Sequence, residues 1–316
     1  MSGPGDLARR LGNLPFPLGS PTWPDSVPRP SRVRRVGLDY DHAWARRYPA
    51  RLARAVIVDT VTRPTVKALA PASVRGLEHL ERLEGPVIFA ANHASHLDTA
   101  LLLTHLPERF RHHVVIAAAS DYFFDRTWKA TMWALTLNAI PIERSKVERR
   151  SAATAEALLE EGWNLIIFPE GGRSPDGWMQ PFKAGAAYLS VKTGLPVVPV
   201  YLEGTQRIIP RTPSSGATLK GGSGTEGKAG PGITRRRTSV TFGRAIRPEP
   251  GESARRMAPR LEAAVRLLGR EVATDFWTAR RSPDDEAVTG PLEASPWRRA
   301  WALPSGEPAE RPWPKP

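Results

Sequence analysis

Residues 87–105 read VIFAANHASHLDTALLLTH, and the rest of the chain is organised around them. An apolar run, Val87–Ala91, ends at the polar pair Asn92-His93, and a second apolar run, Thr99–Leu106, follows shortly after. The pattern predicts a buried strand, a turn and a helix. Polar side chains at the carboxyl end of a strand in an α/β sheet lie where such sheets bind ligands. The stretch therefore predicts an α/β fold with a site at this turn.

The turn also contains a histidine and a carboxylate that can meet. His93 falls at the strand end and Asp98 in the first helical turn, so we expect the two side chains to be in contact. A carboxylate beside a histidine fixes the tautomer of the ring and stabilises the imidazolium that forms when the ring takes a proton. The pair is half of a serine-protease triad, and it needs no enzyme nucleophile if the substrate supplies a hydroxyl.

A structural explanation of the same turn stays open. Ser95-x-x-Asp98 is also the pattern of a capping box, in which side chains satisfy N–H groups at the start of a helix. In that case His93 and His96 are ordinary polar residues of a turn. Taken alone, the turn does not choose between capping and catalysis.

The composition of the chain limits its chemistry. Its 316 residues include no cysteine, which excludes disulfides, thiolate zinc sites and a cysteine nucleophile. The net charge of +13 and a pI near 10.6 favour anionic partners such as nucleic acid, anionic lipid or phosphorylated substrates. No run approaches about 18 apolar residues, so we expect no transmembrane helix. The N-terminal residues lack the apolar core of a signal peptide.

Buried strands alternate with helices, which is typical of an α/β fold. We expect a mostly parallel central sheet flanked by helices in a domain at residues 37–280. The Pro-rich residues 1–36 and 281–316 predict disordered tails, and the Gly/Ser/Lys/Arg-rich residues 211–237 predict a mobile loop. The further strands are predicted at His113–Ala119, Asn138–Arg144, Asn164–Glu170, Pro196–Tyr201 and Thr238–Ile246. Helices are predicted at Lys146–Gly162, Lys183–Thr193 and Glu252–Trp277.

Two stretches predict helices whose surroundings matter for function. Pro49–Val61 predicts a short helix that ends before Pro64. Because residues 31–67 hold nine Lys/Arg against three Asp, this helix either packs on the domain or lies on a membrane surface. In Asp125–Leu137, a helical spacing of large apolar residues indicates core packing. These residues are Trp128, Met132, Trp133 and Leu137.

Polar or glycine residues follow four of the predicted strands. They are Asn92-His93, Arg144, Glu170-Gly171-Gly172-Arg173 and Glu203-Gly204-Thr205. Because parallel strands end at one edge of a sheet, we expect these residues to converge there. Gly171-Gly172 lets backbone N–H groups approach an anion, and Arg173 or Arg144 can bind phosphate with its guanidinium fork. A tight turn with solvated arginines is the alternative for Arg173.

These blocks resemble those of the glycerolipid acyltransferases, most closely the 1-acylglycerol-3-phosphate (lysophosphatidic acid) acyltransferases. The resemblance covers a motif core at residues 77–246, in the family's order and spacing. The chain departs from the family at Asn138, where glycine is common, and in its longer, more basic loop. The matching blocks are NHASHLD (92–98), IPIER (140–144), FPEGGRS (168–174), VPV (198–200) followed by Gly204, and FKAG (182–185).

The resemblance implies a glycerolipid-acyltransferase-like fold and an O-acyltransferase of phospholipid biosynthesis. The acyl donor is acyl-CoA or acyl carrier protein, and the acceptor is the free hydroxyl of a lysophospholipid such as 1-acylglycerol-3-phosphate. It implies that His93 is the general base and that Asp98 orients it, with Glu170 ordering its loop. The implied substrate-binding residues are Asn92, Ser95, Arg144, Glu170, Gly171, Gly172, Arg173 and Lys183.

The resemblance also carries expectations about partners. We expect attachment to the cytoplasmic face of an anionic membrane without a spanning helix, no metal, and no cofactor besides the thioester substrate. Another lipid acceptor, such as a glycolipid, stays open. A basic nucleic-acid-binding protein is the alternative from another class, although no nucleic-acid motif is present. Gly222–Lys228 has P-loop spacing but lacks the following Ser/Thr, and His93-x-x-His96-x-Asp98 lacks a full metal-ligand pattern.

Overall fold

The computed structural model of the protein describes residues 37–143, 149–175, 177–209 and 236–273. The predicted tails at residues 1–36 and 281–316 lie outside the described residues, as does most of the predicted loop at 211–237. Arg144 and the segment with P-loop spacing, Gly222–Lys228, also lie outside them. The strands are β1 (Ala72–Arg75), β2 (Ile88–Ala91), β3 (Val114–Ala119), β4 (Ala139–Ile142), β5 (Asn164–Ile167), β6 (Val197–Glu203) and β7 (Thr238–Phe242).

Ten α-helices surround these strands in the described part of the chain. They are α1 (Tyr48–Ile57), α2 (Arg63–Leu69), α3 (Glu78–Glu81), α4 (Leu97–His105), α5 (Glu108–Arg111), α6 (Ser120–Phe123), α7 (Thr127–Leu137), α8 (Arg149–Glu160), α9 (Gly185–Thr193) and α10 (Ala254–Ala273). Short 3₁₀ segments lie at Gly37–Asp39, Ala43–Arg46 and Thr205–Arg207.

All seven strands form one mostly parallel sheet, which confirms the predicted fold class. The order across the sheet is β1-β7-β6-β2-β5-β3-β4. The five strands from β6 to β4 are parallel to their neighbours, whereas β7 is antiparallel to β6 and β1 is parallel to β7. The carboxyl ends of β2, β5 and β6 therefore share one edge, which we call the site edge.

Alternate residues of the central strands face two apolar layers. In β2, Phe89 and Ala91 belong to a core that includes α4, whereas Ile88 and Ala90 belong to a core with α8, α9 and α10. Because β2 is buried on both faces, its sequence is continuously apolar rather than alternating. This burial holds the end of β2, and with it His93, at a fixed position on the site edge.

The N-terminal helix does not end before Pro64, so that prediction is wrong. A π-helical turn, Val58–Thr62, joins α1 to α2, and the helix continues to Leu69. Pro64 falls directly after the π turn, at the start of α2, where it has no N–H to donate to the preceding turn. The extra residue of the π turn therefore lets the chain pass a proline without breaking the helix.

The prediction of core packing is also wrong for part of α7. Trp128 is 60% exposed and Met132 is 38% exposed, whereas Trp133 and Leu137 pack partly against buried residues. Helical spacing places Trp128 and Met132 on one face, but spacing alone does not say which face meets the core. The pair therefore exposes apolar side-chain surface to solvent.

Candidate active site

The site edge brings together the ends of three strands. Asn92 and His93 follow β2, the segment from Phe168 to Ser174 follows β5, and Thr205 follows β6. The backbone of His93 ties two of these segments together, since its carbonyl accepts the N–H of Ser174 at 2.7 Å. The convergence expected from the sequence is present for these three segments.

His93 and Asp98 are in direct contact. Nδ1 of His93 lies 2.9 Å from Oδ2 of Asp98, and the Asp98 side chain is fully buried while that of His93 is 16% exposed. Because a carboxylate only accepts, the network assigns the proton of the neutral ring to Nδ1. The other ring nitrogen, Nε2, is then left with a lone pair for a proton from a bound molecule.

Asp98 is held by more than the histidine. Its Oδ2 accepts the backbone N–H groups of Ala94 at 2.7 Å and Ser95 at 2.8 Å, and its Oδ1 accepts the hydroxyl of Thr205 at 2.5 Å. The bond from Ser95 N–H is one half of a capping box. Capping and orientation of the ring are therefore both present at the same carboxylate, and one does not exclude the other.

Thr205 and Phe168 shape the site; the sequence predicted Thr205 at this edge but gave it no partner, and it gave Phe168 no role. Thr205 is fully buried, and its hydroxyl donates to Oδ1 of Asp98, the carboxylate oxygen that His93 does not contact. Phe168 stacks on the His93 ring with centroids 4.2 Å apart and planes at 24°. The signal for Thr205 was its position directly after Gly204, which follows β6. The sequence indicated Phe168 only as the first residue of the matching block FPEGGRS.

Glu170 orders the turn by binding backbone groups. Its Oε1 accepts the N–H of His93 at 2.7 Å, and its Oε2 accepts the N–H of Gln180 at 3.2 Å. Burial raises the pKa of Glu170 to about 8, against the lowering effect of these two N–H donors. The carboxyl group thus links the first block to the loop after β5 and is not free to bind a substrate phosphate.

The loop after Glu170 is shaped by a glycine. Gly171 has φ +71°, and a Cβ there would come within 2.7 Å of Nζ of Lys183. The Lys183 side chain therefore lies directly against the backbone of the loop, in the space that any other residue at position 171 would occupy. Gly172 and Arg173 follow, partly exposed, so the loop presents a flexible backbone and two cationic side chains at the site edge.

Asn92 and Ser95 make contacts that hold the fold. The side-chain amide of Asn92 donates to the carbonyl of Leu202 at 2.9 Å and accepts its N–H at 2.7 Å. The Ser95 hydroxyl donates to the carbonyl of Ile209 at 2.9 Å and is fully buried. A role of these two side chains in substrate binding stays a prediction.

His96 borders the site on the other side. Its ring stacks on Tyr122 with centroids 5.5 Å apart and planes at 20°. Burial, with a smaller contribution from the positive charge of Arg173, lowers the pKa of His96 to about 4. His96 is therefore a neutral ring at neutral pH. Among the described residues, no group of three or more His, Asp or Glu side chains is arranged to hold a metal ion.

The sequence of this region matches a known family. Residues 72–203 match the family model described as Acyltransferase. The match covers less than half of the chain. The matched residues run from β1 to the end of β6, so the matched region contains His93, Asp98 and the loop after β5, whereas Thr205 lies just beyond it.

Several curated relatives share this domain. The chain is 33% identical over 144 residues to the chloroplastic 1-acyl-sn-glycerol-3-phosphate acyltransferase BAT2 of Brassica napus, a match that covers 43% of this chain and 38% of the relative. It is 27% identical over 165 residues to the human 1-acyl-sn-glycerol-3-phosphate acyltransferase alpha, covering 46% of this chain and 56% of the relative. The chain thus spans about half or less of the length of these relatives.

A solved structure is also similar to the chain. It is the crystal structure of PlsC, the 1-acyl-sn-glycerophosphate acyltransferase from Thermotoga maritima. The TM-score is 0.49 at 23% sequence identity, covering 72% of this chain and 84% of that one.

Proposed function

We propose that this protein transfers a fatty acyl group from a thioester to the free hydroxyl of a lysophospholipid, 1-acylglycerol-3-phosphate in the first instance. The observation that carries the proposal is the contact between His93 Nδ1 and Asp98 Oδ2 at a strand end. It leaves Nε2 of His93 ready to accept a proton. The matching relatives, whose names specify 1-acyl-sn-glycerol-3-phosphate acyltransferase, support the choice of acceptor.

In the proposed reaction the acceptor hydroxyl is the nucleophile. Its oxygen attacks the thioester carbonyl while His93 Nε2 takes the hydroxyl proton, and Asp98 stabilises the resulting imidazolium. The tetrahedral intermediate then collapses, the carbon–sulfur bond breaks, and the leaving thiolate takes the proton from His93. The products are an ester and a thiol. Phe168, stacked on the ring, keeps the imidazole in the plane that Asp98 sets.

Transfer is direct, without an acyl-enzyme. Ser95 is the hydroxyl residue nearest to His93 in sequence, but it is fully buried and donates to the carbonyl of Ile209. The chain contains no cysteine. A buried, hydrogen-bonded hydroxyl is a poor nucleophile for a bulky thioester, so the substrate supplies the attacking oxygen.

The phosphate of the acceptor binds at the loop after β5. The N–H of Gly171 donates to the carbonyl of Phe168 at 3.0 Å and so holds the turn, whereas partly exposed Gly172 lies beside Arg173 and Lys183, which add positive charge for an anion. Arg144, which follows β4 in the sequence, is the further cation proposed for this phosphate. Glu170 holds the loop through His93 and Gln180 instead of touching the phosphate.

The deciding experiment is an acyl-transfer assay with purified protein. Two labelled donors, acyl-CoA and the acyl thioester of acyl carrier protein, are each offered with a panel of lysophospholipids and lyso-glycolipids. The products are identified by mass spectrometry. We expect phosphatidic acid from 1-acylglycerol-3-phosphate, and the assay decides the donor. Transfer to a lyso-glycolipid alone would contradict the proposed acceptor, and no transfer to any acceptor would contradict the proposed reaction.

The N-terminal helices support peripheral attachment of this proposed enzyme of phospholipid biosynthesis to an anionic membrane. Tyr48, Leu52 and Val56 are exposed at intervals of four, and the π-helical turn, which has more residues per turn, keeps exposed Val61 near the same face. Arg47 and Arg51 flank this stripe and suit anionic headgroups. None of the helices among the described residues is long and apolar enough to span a bilayer.

Two substitutions test this attachment better than a deletion. Arg54 donates to the carbonyls of Leu135 and Ala134 at the end of α7, so removing α1 would also damage the domain. Leu52→Ser with Val56→Ser leaves these contacts in place. We expect weaker cosedimentation with phosphatidylglycerol vesicles, and unchanged binding would place the attachment surface elsewhere.

A further inference from the structure

A second exposed apolar surface lies beside the candidate active site. Among the described residues, nine large apolar side chains are exposed, and four of them form the stripe on the N-terminal helices. Three others are Tyr122 on α6 and Trp128 and Met132 on α7, which we call the aromatic shelf. Tyr122 is 50% exposed and Trp128 is 60% exposed. Such large apolar side chains in one short segment indicate an interaction surface.

The aromatic shelf is at the site edge. α6 begins directly after the carboxyl end of β3, and Tyr122 stacks on His96, three residues after His93. Trp128 lies in the first turn of α7, before the helix runs back to the start of β4. The stripe on α1 lies instead at the amino-terminal ends of the strands. Arg51 of α1 lies over the ring of Trp163, which precedes β5. Attachment through α1 therefore does not by itself bring a lipid to His93.

The shelf is supported from below by packed rings. Phe123 contacts Tyr122 edge to face at 4.9 Å and Trp133 edge to face at 5.3 Å. Fully buried Phe124 and Ala130 lie beneath them. The exposed side chains are thus presented by a rigid base and need no refolding to dock on a partner surface.

The charges around the shelf balance one another. Asp125 pairs with Lys129 at 2.9 Å, which reduces the repulsion that a lone carboxylate would have for anionic headgroups. Exposed Arg126 adds a positive charge that offsets the exposed carboxylate of Asp121. Tryptophan and tyrosine are the side chains that favour the interface between headgroups and hydrocarbon, because they join an apolar ring to a polar N–H or O–H.

We propose that the aromatic shelf, formed by Tyr122, Trp128 and Met132, inserts into a phospholipid bilayer and lets the lipid acceptor pass between that bilayer and His93. This inference rests on the proposed acyl transfer to a lysophospholipid and names the surface through which its acceptor arrives. α1 packs against α7, so the stripe and the shelf are on the same face of the sheet, although they lie at opposite ends of its strands. The stripe attaches the protein, and the shelf delivers the acceptor.

The test uses the full chain with Trp128→Ser and Met132→Ser together. Both side chains point into solvent, so we expect an unchanged Tm. We expect affinity for acceptor-free vesicles of phosphatidylglycerol and phosphatidylcholine, measured by flotation, to fall about tenfold. The control is Tyr188→Ser, which removes an aromatic ring that is 40% exposed on α9, on the other side of the sheet. We expect the control to bind like wild type.

The second measurement separates delivery of the lipid acceptor from the acyl-transfer step. For a long-chain acceptor in vesicles, we expect kcat/KM of the double variant to fall about tenfold, with little change for a short-chain, soluble acceptor. Unchanged vesicle affinity would overturn the proposal, and so would an equal loss on both acceptors. A higher KM for a carrier-protein donor with normal vesicle binding would assign the shelf to that protein instead. If wild type acylates no lysophospholipid, the proposed function fails, while flotation still decides whether the shelf binds lipid.

Discussion

Two buried carboxyl groups meet at the site edge and differ in what surrounds them. Asp98, after β2, accepts hydrogen bonds from the His93 ring, two backbone N–H groups and the Thr205 hydroxyl. Glu170, after β5, accepts the backbone N–H groups of His93 and Gln180. One carboxyl group orients the ring of His93, and the other holds its backbone.

The two environments give the two carboxyl groups different roles. A carboxylate with four donors is fixed in position and can stabilise a positive charge on the ring it touches. Glu170 has fewer donors for a similar burial, and its pKa rises to about 8 because desolvation outweighs them. We therefore expect Asp98 to matter for chemistry and Glu170 for the stability of the turn. The following substitutions test that division.

The largest effect is expected for His93→Ala, which removes the ring that Asp98 orients. Loss of a general base lowers the rate by about 10² to 10⁴. The backbone N–H and carbonyl of His93 stay available to Glu170 and Ser174, so the fold should persist. The measurement is kcat for acyl transfer together with Tm. Activity above about a tenth of wild type would contradict the role of His93.

Asp98→Asn should cause the next largest loss, again about 10² or more in kcat. The amide oxygen can take the place of Oδ2, and the amide N–H₂ can donate to the Thr205 hydroxyl, which is able to accept. The variant should therefore fold while lacking the charge that stabilises the imidazolium. Normal activity with normal Tm would mean that Asp98 only caps the helix, since Asn caps almost as well.

Thr205→Val tests whether Asp98 must be held from its far side. Valine has nearly the same shape, but Oδ1 of Asp98 loses the 2.5 Å hydrogen bond. A buried acceptor left without its donor costs about 1 to 3 kcal/mol, and we expect kcat to fall about tenfold. Thr205→Ser keeps the hydroxyl and should keep most of the activity. If Val and Ser behave alike, the hydroxyl has no positioning role.

The sequence was informative about the sheet and less so about its surfaces. Continuous apolar runs such as Val87–Ala91 predict buried parallel strands because both faces need apolar side chains. β1 was missed, since Ala72–Arg75 alternates at the edge of the sheet with little apolar content. The contact of His93 with Asp98 was predictable from chain distance alone. Thr205 was not assigned to it, because Thr205 is 107 residues from Asp98 and only the β2–β6 pairing brings them together.

Glu170→Gln tests the other carboxyl group and should have the smallest effect on catalysis. Folding raises the pKa of Glu170 from its usual 4.5 to about 8, so between these values the folded state holds a proton that the unfolded state has lost. This contribution to stability is complete below about pH 4.5 and is lost as pH rises through about 8, by at most about 1.4 kcal/mol per pH unit. Glutamine cannot ionise and removes the decline.

The free energy of unfolding of the Glu170→Gln variant, measured by denaturant titration from pH 5 to pH 9, should therefore rise relative to wild type as pH increases. The amide N–H₂ facing the N–H of Gln180 adds a penalty that does not depend on pH, so the slope and not the offset is decisive. Glu81→Gln, which changes an exposed carboxyl group, should follow wild type at every pH. Parallel curves for Glu170→Gln and wild type would show that Glu170 is already ionised in the folded protein, and the division of work between the two carboxyl groups would then be wrong.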